Sequence, residues 1–443
     1  MRSFRLPVLL LVFLGCGSPR DDAPDASGDH DATTTRGPEL EAGATPVADG
    51  GSSSDGGTAT CGGVICRDGA TCVRGACEQT CTGASVPGDY ATLQSAVSAL
   101  APTGGTICLA PGDYAEYVQV PQTVAPLHIV GVSAAKTSIQ HLELSTHGSL
   151  RGVTVRQGAV LRTMSPADYP GTSLEIVGCR FTYDYPVDNS GNRADVPALL
   201  FARVYPRNAA TAAAKAKVAI RGTRIDSETT GGGIFLDGPA ALDLALDGVD
   251  LSARFGTALA IAPYATPFAP SAEVNVAITS SFIHDSAQGL ASFAAGVMGS
   301  NVLAVQVRNN TFLRVSGTAL RVATPLAPVE YFSNLFVENG TAVDMARVNV
   351  AGPREPEDLR APDVLGYGHD LYFGNTTNFA GAAVLGAGDL KVDPLLGVAT
   401  QGPPPLRPGS PARGAGETRG APAKDYWARA RVGRNDIGAM QDP

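Results

Sequence analysis

Apolar residues fall into three successive patterns along this chain. Leu6 to Leu14, LPVLLLVFL, is one continuous apolar run flanked upstream by Arg2 and Arg5. From Pro19 to Thr60 the sequence is rich in Asp, Ala, Gly, Ser, Thr and Pro, with no aromatic residue and no apolar periodicity. Beyond residue 85, short runs of Ile, Val, Leu, Phe and Thr alternate with turns of Gly, Asn and Ser. One stretch there has helical spacing. In Asp89–Leu100, Leu93, Ala96, Val97 and Leu100 share a face, Asp89 stands at the N-cap, and Pro102 with Gly104-Gly105 ends the helix. Strands follow at Thr106–Leu109 and through Val118 and Val120.

The later strands repeat. GTRIDSETTGGGIFL starts at Gly222, GVDLSARFGTALAIA at Gly248, SSFIHDSAQGLASF at Ser280, NTFLRVSGTALRVA at Asn310 and NLFVENGTAVDMA at Asn334, so the starts are 24 to 32 residues apart. GVTVRQGAVL from Gly152 and GCRFTYD from Gly178 fit the same scheme. A period in this range predicts a solenoid whose repeats bury their apolar face only against neighbouring repeats. Alternation predicts inward pairs at Ile234/Leu236, Leu259/Ile261, Leu320/Val322 and Val343/Met345. Gly233, Gly256, Gly317 and Gly340, each just before a strand, suit turns with positive φ. Ser281, Asn310 and Asn334 occupy equivalent turn positions, where stacked polar side chains would form a hydrogen-bonded ladder. A β-sandwich or propeller would need hairpin turns at short intervals, and no Asn-Gly hairpin series is present. About eleven coils at about 4.8 Å each would give a rod on the order of 50 Å. Pro186 to Lys217 and Pro353 to Asp363 read as inserts that project as loops.

These segments carry a resemblance. DYATLQSAVSAL followed by GGTICLAPGDY resembles the helix cap and first coil of right-handed parallel β-helix (pectin-lyase-like) proteins, in which the helix covers an otherwise open solenoid end. Asp393-Pro394-Leu395-Leu396, Leu406-Arg407-Pro408-Gly409-Ser410-Pro411-Ala412 and Asp436-Ile437-Gly438-Ala439-Met440 resemble the tail of bacterial cell-surface members, which packs over the last coil. Arg413-Gly414 replaces the Asp usual after PGSPA. The resemblance implies an all-β fold, a right-handed parallel β-helix solenoid with an N-terminal helix cap over residues 89–101.

The first 82 residues supply context. A basic start and an apolar run far short of the roughly 20 residues of a membrane span make a secretion signal. Phe13-Leu14-Gly15-Cys16 resembles the lipobox of bacterial lipoproteins, which implies diacylglycerol on Cys16; the family prefers other residues at Phe13 and Leu14, and an ordinary signal peptide is the alternative. The segment 16–60 cannot bury enough surface to fold. As a coil of about 40 residues it would reach on the order of 35 Å. Cys61, Cys66, Cys72, Cys77 and Cys81 follow at gaps of four, five, four and three residues, which fit zinc pairs poorly and disulfides in an oxidising compartment well. Four of them could make two bridges, leaving Cys81 for Cys108, although spacing does not fix connectivity; Cys179 would remain alone and buried. The expected organisation is a signal peptide (1–15), a disordered acidic stalk (16–60), a Cys-rich disulfide module (61–82), a β-helix (86–395) and a C-terminal cap or tail (396–443).

Chemistry is less legible. No HExxH, G-x-S-x-G or phosphate loop is present. Enzymes with the fold it resembles act on acidic polysaccharides, with Ca²⁺ bound by carboxylates or with paired Asp residues as acid and base. Aligned repeats place Asp226, Ser252, His284 and Arg314 on successive coils, with Asp285 and Glu338 beside them. Asp226, His284, Asp285 and Arg314 are therefore the catalytic candidates, against the plain alternative that every coil turns through polar residues. His369-Asp370 is a second candidate pair of the same kind. A net charge of −9 disfavours nucleic acid. The reading is an exported, lipid-anchored, non-catalytic β-helix of the outer membrane or cell surface, a monomer binding a polysaccharide or an envelope protein. No cofactor is identified. The alternative is a polysaccharide lyase or glycoside hydrolase, for which Ca²⁺ would be the metal.

Overall fold

The computed structural model describes residues 60–442, apart from short breaks and the segments 163–172, 184–195, 203–215, 238–241, 263–272, 293–301 and 350–358. The apolar run, Cys16 and the stalk lie outside the described residues, as do most of the two predicted inserts.

The fold is a parallel β-helix. One sheet has eleven strands, from Ala84–Val86 to Asp363–Gly368, each pairing parallel with the equivalent strand of the next coil. The strands Gly112–Val120 and Thr137–Leu144 run across the other two faces without interruption. After them each coil bends, and two further stacks separate: the second runs from Thr154–Val155 to Leu371–Phe373, the third from Ala159–Arg162 to Thr377–Gly381. The eight predicted inward side chains, Ile234 to Met345, are at most 1% exposed. Burying each contributes roughly 1.5–3 kcal/mol. Identical register stacks like on like: Phe312, Phe336 and Tyr372 form an internal column with ring centroids 5.0 and 5.3 Å apart.

Several elements differ from the sequence reading. The helix is Leu93–Leu100 with Thr92, not Asp89, as N-cap. Thr92 Oγ1 accepts from Ser95 N at 3.1 Å and Ser95 Oγ accepts from Thr92 N at 3.3 Å, a closed capping box. Glu116 accepts from the Leu93 and Gln94 amides at 3.0 Å each, so it takes the remaining anionic role at this helix start. Asp89 instead turns back onto the Ser85 amide and hydroxyl, at 2.8 and 3.0 Å, and those bonds hold its carboxyl below its ordinary value. Within the first expected insert, Leu199–Ala202 is a solenoid strand lying between Ala159–Arg162 and Ile234–Asp237. Its apolar run was present in the sequence, but unusually long flanks hid its place in the repeat.

The predicted glycine role is also corrected. Gly233, Gly256, Gly317 and Gly340 are absent from the positive-φ residues. They are glycine because a neighbouring coil is too close: a Cβ on Gly340 would lie 2.4 Å from the Ser316 carbonyl oxygen of the preceding coil, and one on Gly233 2.6 Å from that of Ala258 in the next. Positive φ falls elsewhere, at the corner between the first sheet and the second stack. There Gly152, Gly178, Gly222, Gly248, Ser280, Asn309, Ser333 and His369 form a left-handed column, each amide bonding to the next coil.

The ladder lies one residue further on. Ser281 N donates to Asn310 Oδ1 at 2.9 Å, Asn310 N to Asn334 Oδ1 at 3.0 Å, Asn334 N to Asp370 Oδ1 at 2.6 Å, and Asp370 N to Asp389 Oδ1 at 2.9 Å. A second ladder, Val315 N to Asn339 and Asn339 N to Asn375, both at 2.9 Å, runs along the opposite corner of the second stack.

Disulfides Cys66–Cys77 and Cys81–Cys108 staple the N-terminal module and tie it to the first sheet; Cys72 is also disulfide-bonded. The side chain of Cys61 lies outside the described residues. Cys179 is a buried free thiol, and burial pushes it up to about 12, which leaves it unreactive.

The C-terminal tail does not sit over the end of the last coil. It runs along the side of the solenoid and covers Phe282, Leu313, Leu335, Val337 and Leu371, outward-facing residues of the second stack, with Leu406, Ala412, Tyr426, Ile437 and Ala439. The reason is visible in that stack. Its outward rows are polar in the early coils (Arg180, Arg224, Asp226, Ser252) and apolar in the late ones.

Candidate functional site

The predicted column lies beside the tail, where the outward rows of the second stack are still polar. Asp226, Ser252 and His284 are in register on adjacent strands. Arg314 is not in their row, since Leu313 follows His284 in register. Arg314 sits instead just past its strand, at the opposite corner of the second stack, with Asp285 and Glu338, at φ 53°, 45° and 55°. Its side chain is tied to the column through Asp285, which bonds His284.

Two linked polar clusters result. In the first, Asp226 accepts from Arg224 Nε at 2.7 Å, from Arg180 Nε at 3.1 Å and from Ser252 Oγ at 3.0 Å. In the second, His284 bridges two carboxylates, with Nε2 2.8 Å from Asp250 Oδ1 and Nδ1 2.8 Å from Asp285 Oδ2. Arg314 closes the chain through Nε to Asp285 Oδ1 at 2.7 Å and a second nitrogen to Oδ2 at 2.9 Å, a bidentate pair. Tyr426, from the tail, approaches Asp250 Oδ2 at 3.3 Å. Phe282 stacks on the His284 ring with centroids 4.2 Å apart.

Burial works against the His284 imidazolium, but Asp250 and then Asp285 outweigh it, so its pKa lies above the ordinary histidine value. Burial likewise works to raise Asp285, yet Arg314 and His284 prevail and its carboxyl is held below the usual range. The clusters line two adjoining depressions of about 580 and 450 Å³ that share Arg224, His284, Asp285 and Arg314. One wall of the second is tail, from Leu396 to Pro404.

His369 and Asp370 are not part of this surface. His369 Nδ1 lies 3.0 Å from the Ala415 carbonyl oxygen, under the tail, and Asp370 is the buried ladder residue. Asp250, Arg180, Arg224 and Tyr426 belong to the site and were missed. Arg224 and Asp250 are neighbours in register, so repeat alignment could have found them as a second outward row. Tyr426, 176 residues from Asp250, left no local signal. Among the described residues no group of three or more His, Cys, Asp or Glu side chains is placed to hold a metal ion.

The fold and surface thus define a parallel β-helix with a paired-charge groove on one face. No family model matches the chain, and no curated protein does. Among solved structures, a pectate lyase, Pel9A, aligns over 81% of this chain and 96% of its own, with 11% identity and a TM-score of 0.36. The β-helix assignment rests on the strand register described above.

Proposed function

We propose that this protein is a non-catalytic glycan-binding β-helix, exported and held at a bacterial envelope by a lipid on Cys16, with the groove of the second stack as its binding face. The observation that carries the reading is that the groove's carboxylates are already engaged. Asp226 is held by two guanidiniums and a hydroxyl, and Asp285 by a guanidinium and an imidazole. A glycosidic acid must keep a proton near neutral pH, which calls for a raised pKa. The Asp285 carboxyl is shifted the other way. Charge pairs fixed in this manner suit another task. They present planar donors and acceptors whose geometry is already set, so little ordering entropy is lost when sugar hydroxyls bind. The disulfides fit an oxidising compartment, and the apolar run with its following Cys supports export and lipidation. Among the described residues no helix is long and apolar enough to cross a membrane.

The test is turnover. Full-length protein incubated with polygalacturonate and alginate, with and without Ca²⁺, is expected to release neither unsaturated products nor reducing ends. Turnover that disappears in Asp226→Ala or Asp285→Ala would establish the lyase or hydrolase alternative instead.

A further inference from the structure

The two ends of the solenoid are finished differently. At the first, the helix Leu93–Leu100 turns Leu93, Ala96 and Val97 onto the core and leaves Ser95 and Ser98 exposed. A polar outer face of this kind keeps the terminal unit of a repeat protein soluble. At the other end no helix follows among the described residues, and the tail runs along the side. Residues 382–390 cross that end as the start of one more coil: Gly368 bridges Ala387 and Leu371 bridges Leu390, both in parallel. Ala382 and Ala383 pack against the core, but Val384 and Leu385 are 53% and 51% exposed, and Leu365, in the last strand of the first sheet, is 61% exposed. Of the eleven large apolar side chains exposed among the described residues, eight lie between Leu359 and Val398. Apolar exposure gathered in this way marks an interaction surface.

The backbone at this end points to the kind of partner. Among the described residues Thr377–Gly381, the last strand of the third stack, pairs with a strand on one edge only, Thr341–Met345. The last strand of the first sheet, Asp363–Gly368, pairs with Pro328–Phe332, and an extra residue, Leu365, bulges from it, which makes it the poorer template. An open strand edge is satisfied by another strand, whereas lipid would leave its amides and carbonyls without partners. Both signs of charge stand at this end: Asp363 is exposed, and Lys391 Nζ lies 5.4 Å from the ring centroid of Phe379 in the last strand of the third stack. A second copy of the chain meets these demands together. A two-fold axis lying in the end face sets Thr377–Gly381 antiparallel to its own copy, brings the apolar residues of the two ends together and offers each lysine an acid of the other copy. The helix at the opposite end presents no such edge, so the assembly closes at two.

We infer that the protein forms a two-fold dimer through the last coil of its solenoid, in place of the monomer expected from the sequence. Sedimentation velocity on the full-length protein over about 1 to 300 µM tests it, a range that reaches the weaker affinities of small interfaces. The mass is expected to rise from one copy toward two and to stop there. Val384→Asp and Leu385→Asp should each weaken association about tenfold or more, because each places a charge in a desolvated apolar contact. Val432→Asp, at a still more exposed valine on the tail, should leave association unchanged. Amide exchange in residues 377–385 should be slower in concentrated than in dilute protein, and Leu385→Asp should remove that difference. A mass that stays at one copy, growth beyond two copies, association unaltered in both Val384→Asp and Leu385→Asp, or exchange in 377–385 that does not depend on concentration would overturn the inference.

Discussion

At the corner between the first sheet and the second stack, one side chain per coil decides what the coil can hold. Where the left-handed residue is Gly248 or an earlier glycine, it offers only backbone. From Ser280 onward the same position carries a polar group, and each one binds the tail. Ser280 Oγ donates to the Lys424 carbonyl at 2.6 Å, Asn309 Nδ2 to that of Asp436 at 2.8 Å, Ser333 Oγ accepts from Glu417 N at 2.7 Å, and His369 meets Ala415. The residue after the corner is equally specific. Asn310 and Asn334 each donate through Nδ2 to a carbonyl of the preceding coil, Ile278 and Val307, at 2.9 Å. Asp370 takes the next place, but its Oδ2 is buried without a hydrogen-bond partner among the described residues. Burial, then the Asp389 charge, raises its pKa well above the ordinary value. A raised folded pKa means that this group's contribution is full below about pH 4, where the unfolded carboxyl is also protonated, and falls as pH rises toward the folded value. Asp370→Asn keeps the acceptor and supplies the missing donor. It should stabilise the protein at about pH 7.5 by about 1–3 kcal/mol in urea unfolding, with the gain shrinking near pH 4. Loss of stability at neutral pH would contradict the reading of Asp370 as a buried carboxylate that destabilises the fold as it ionises.

Among the elements, the tail is the one whose position follows least directly from its own sequence. Its segments were recognisable, yet what places them is the change from polar to apolar on the outward rows of the second stack, far away in sequence. Removing the Asn309 amide should loosen the tail without opening the solenoid. Asn309→Ala is expected to cost about 1–3 kcal/mol and to speed proteolysis within residues 396–442, while the coils stay protected. Cleavage spread evenly over the coils would show that tail and solenoid unfold as one unit. The same contrast explains what was legible. Inward pairs such as Leu320/Val322 and the Asn ladder follow from a period that any aligned repeat displays. The Thr92 cap was obscured because Asp89, Thr92 and Ser95 are all competent capping residues, and only the position of Glu116 and Ser85 in space decides among them. Leu199–Ala202 was lost because its flanks break the period, although its side chains obey it.

For the molecule as a whole, the solenoid turns a sequence without a catalytic motif into a surface with organised chemistry. Repeat alignment brought Asp226, Ser252 and His284 into one row, but not Asp250, Arg180 or Tyr426, which convert an open polar row into a set of closed pairs. The proposed glycan-binding role rests on that closure. Affinity electrophoresis of the full-length protein through gels containing a panel of neutral polysaccharides tests this most directly, with reducing ends measured in the same samples. The account predicts that at least one polysaccharide retards the protein, that Arg224→Ala and Arg314→Ala abolish the retardation while Tm changes little, as expected of exposed charges worth about 0–1 kcal/mol each, and that no reducing ends appear. Unretarded migration in every gel, or retardation accompanied by new reducing ends, would contradict it.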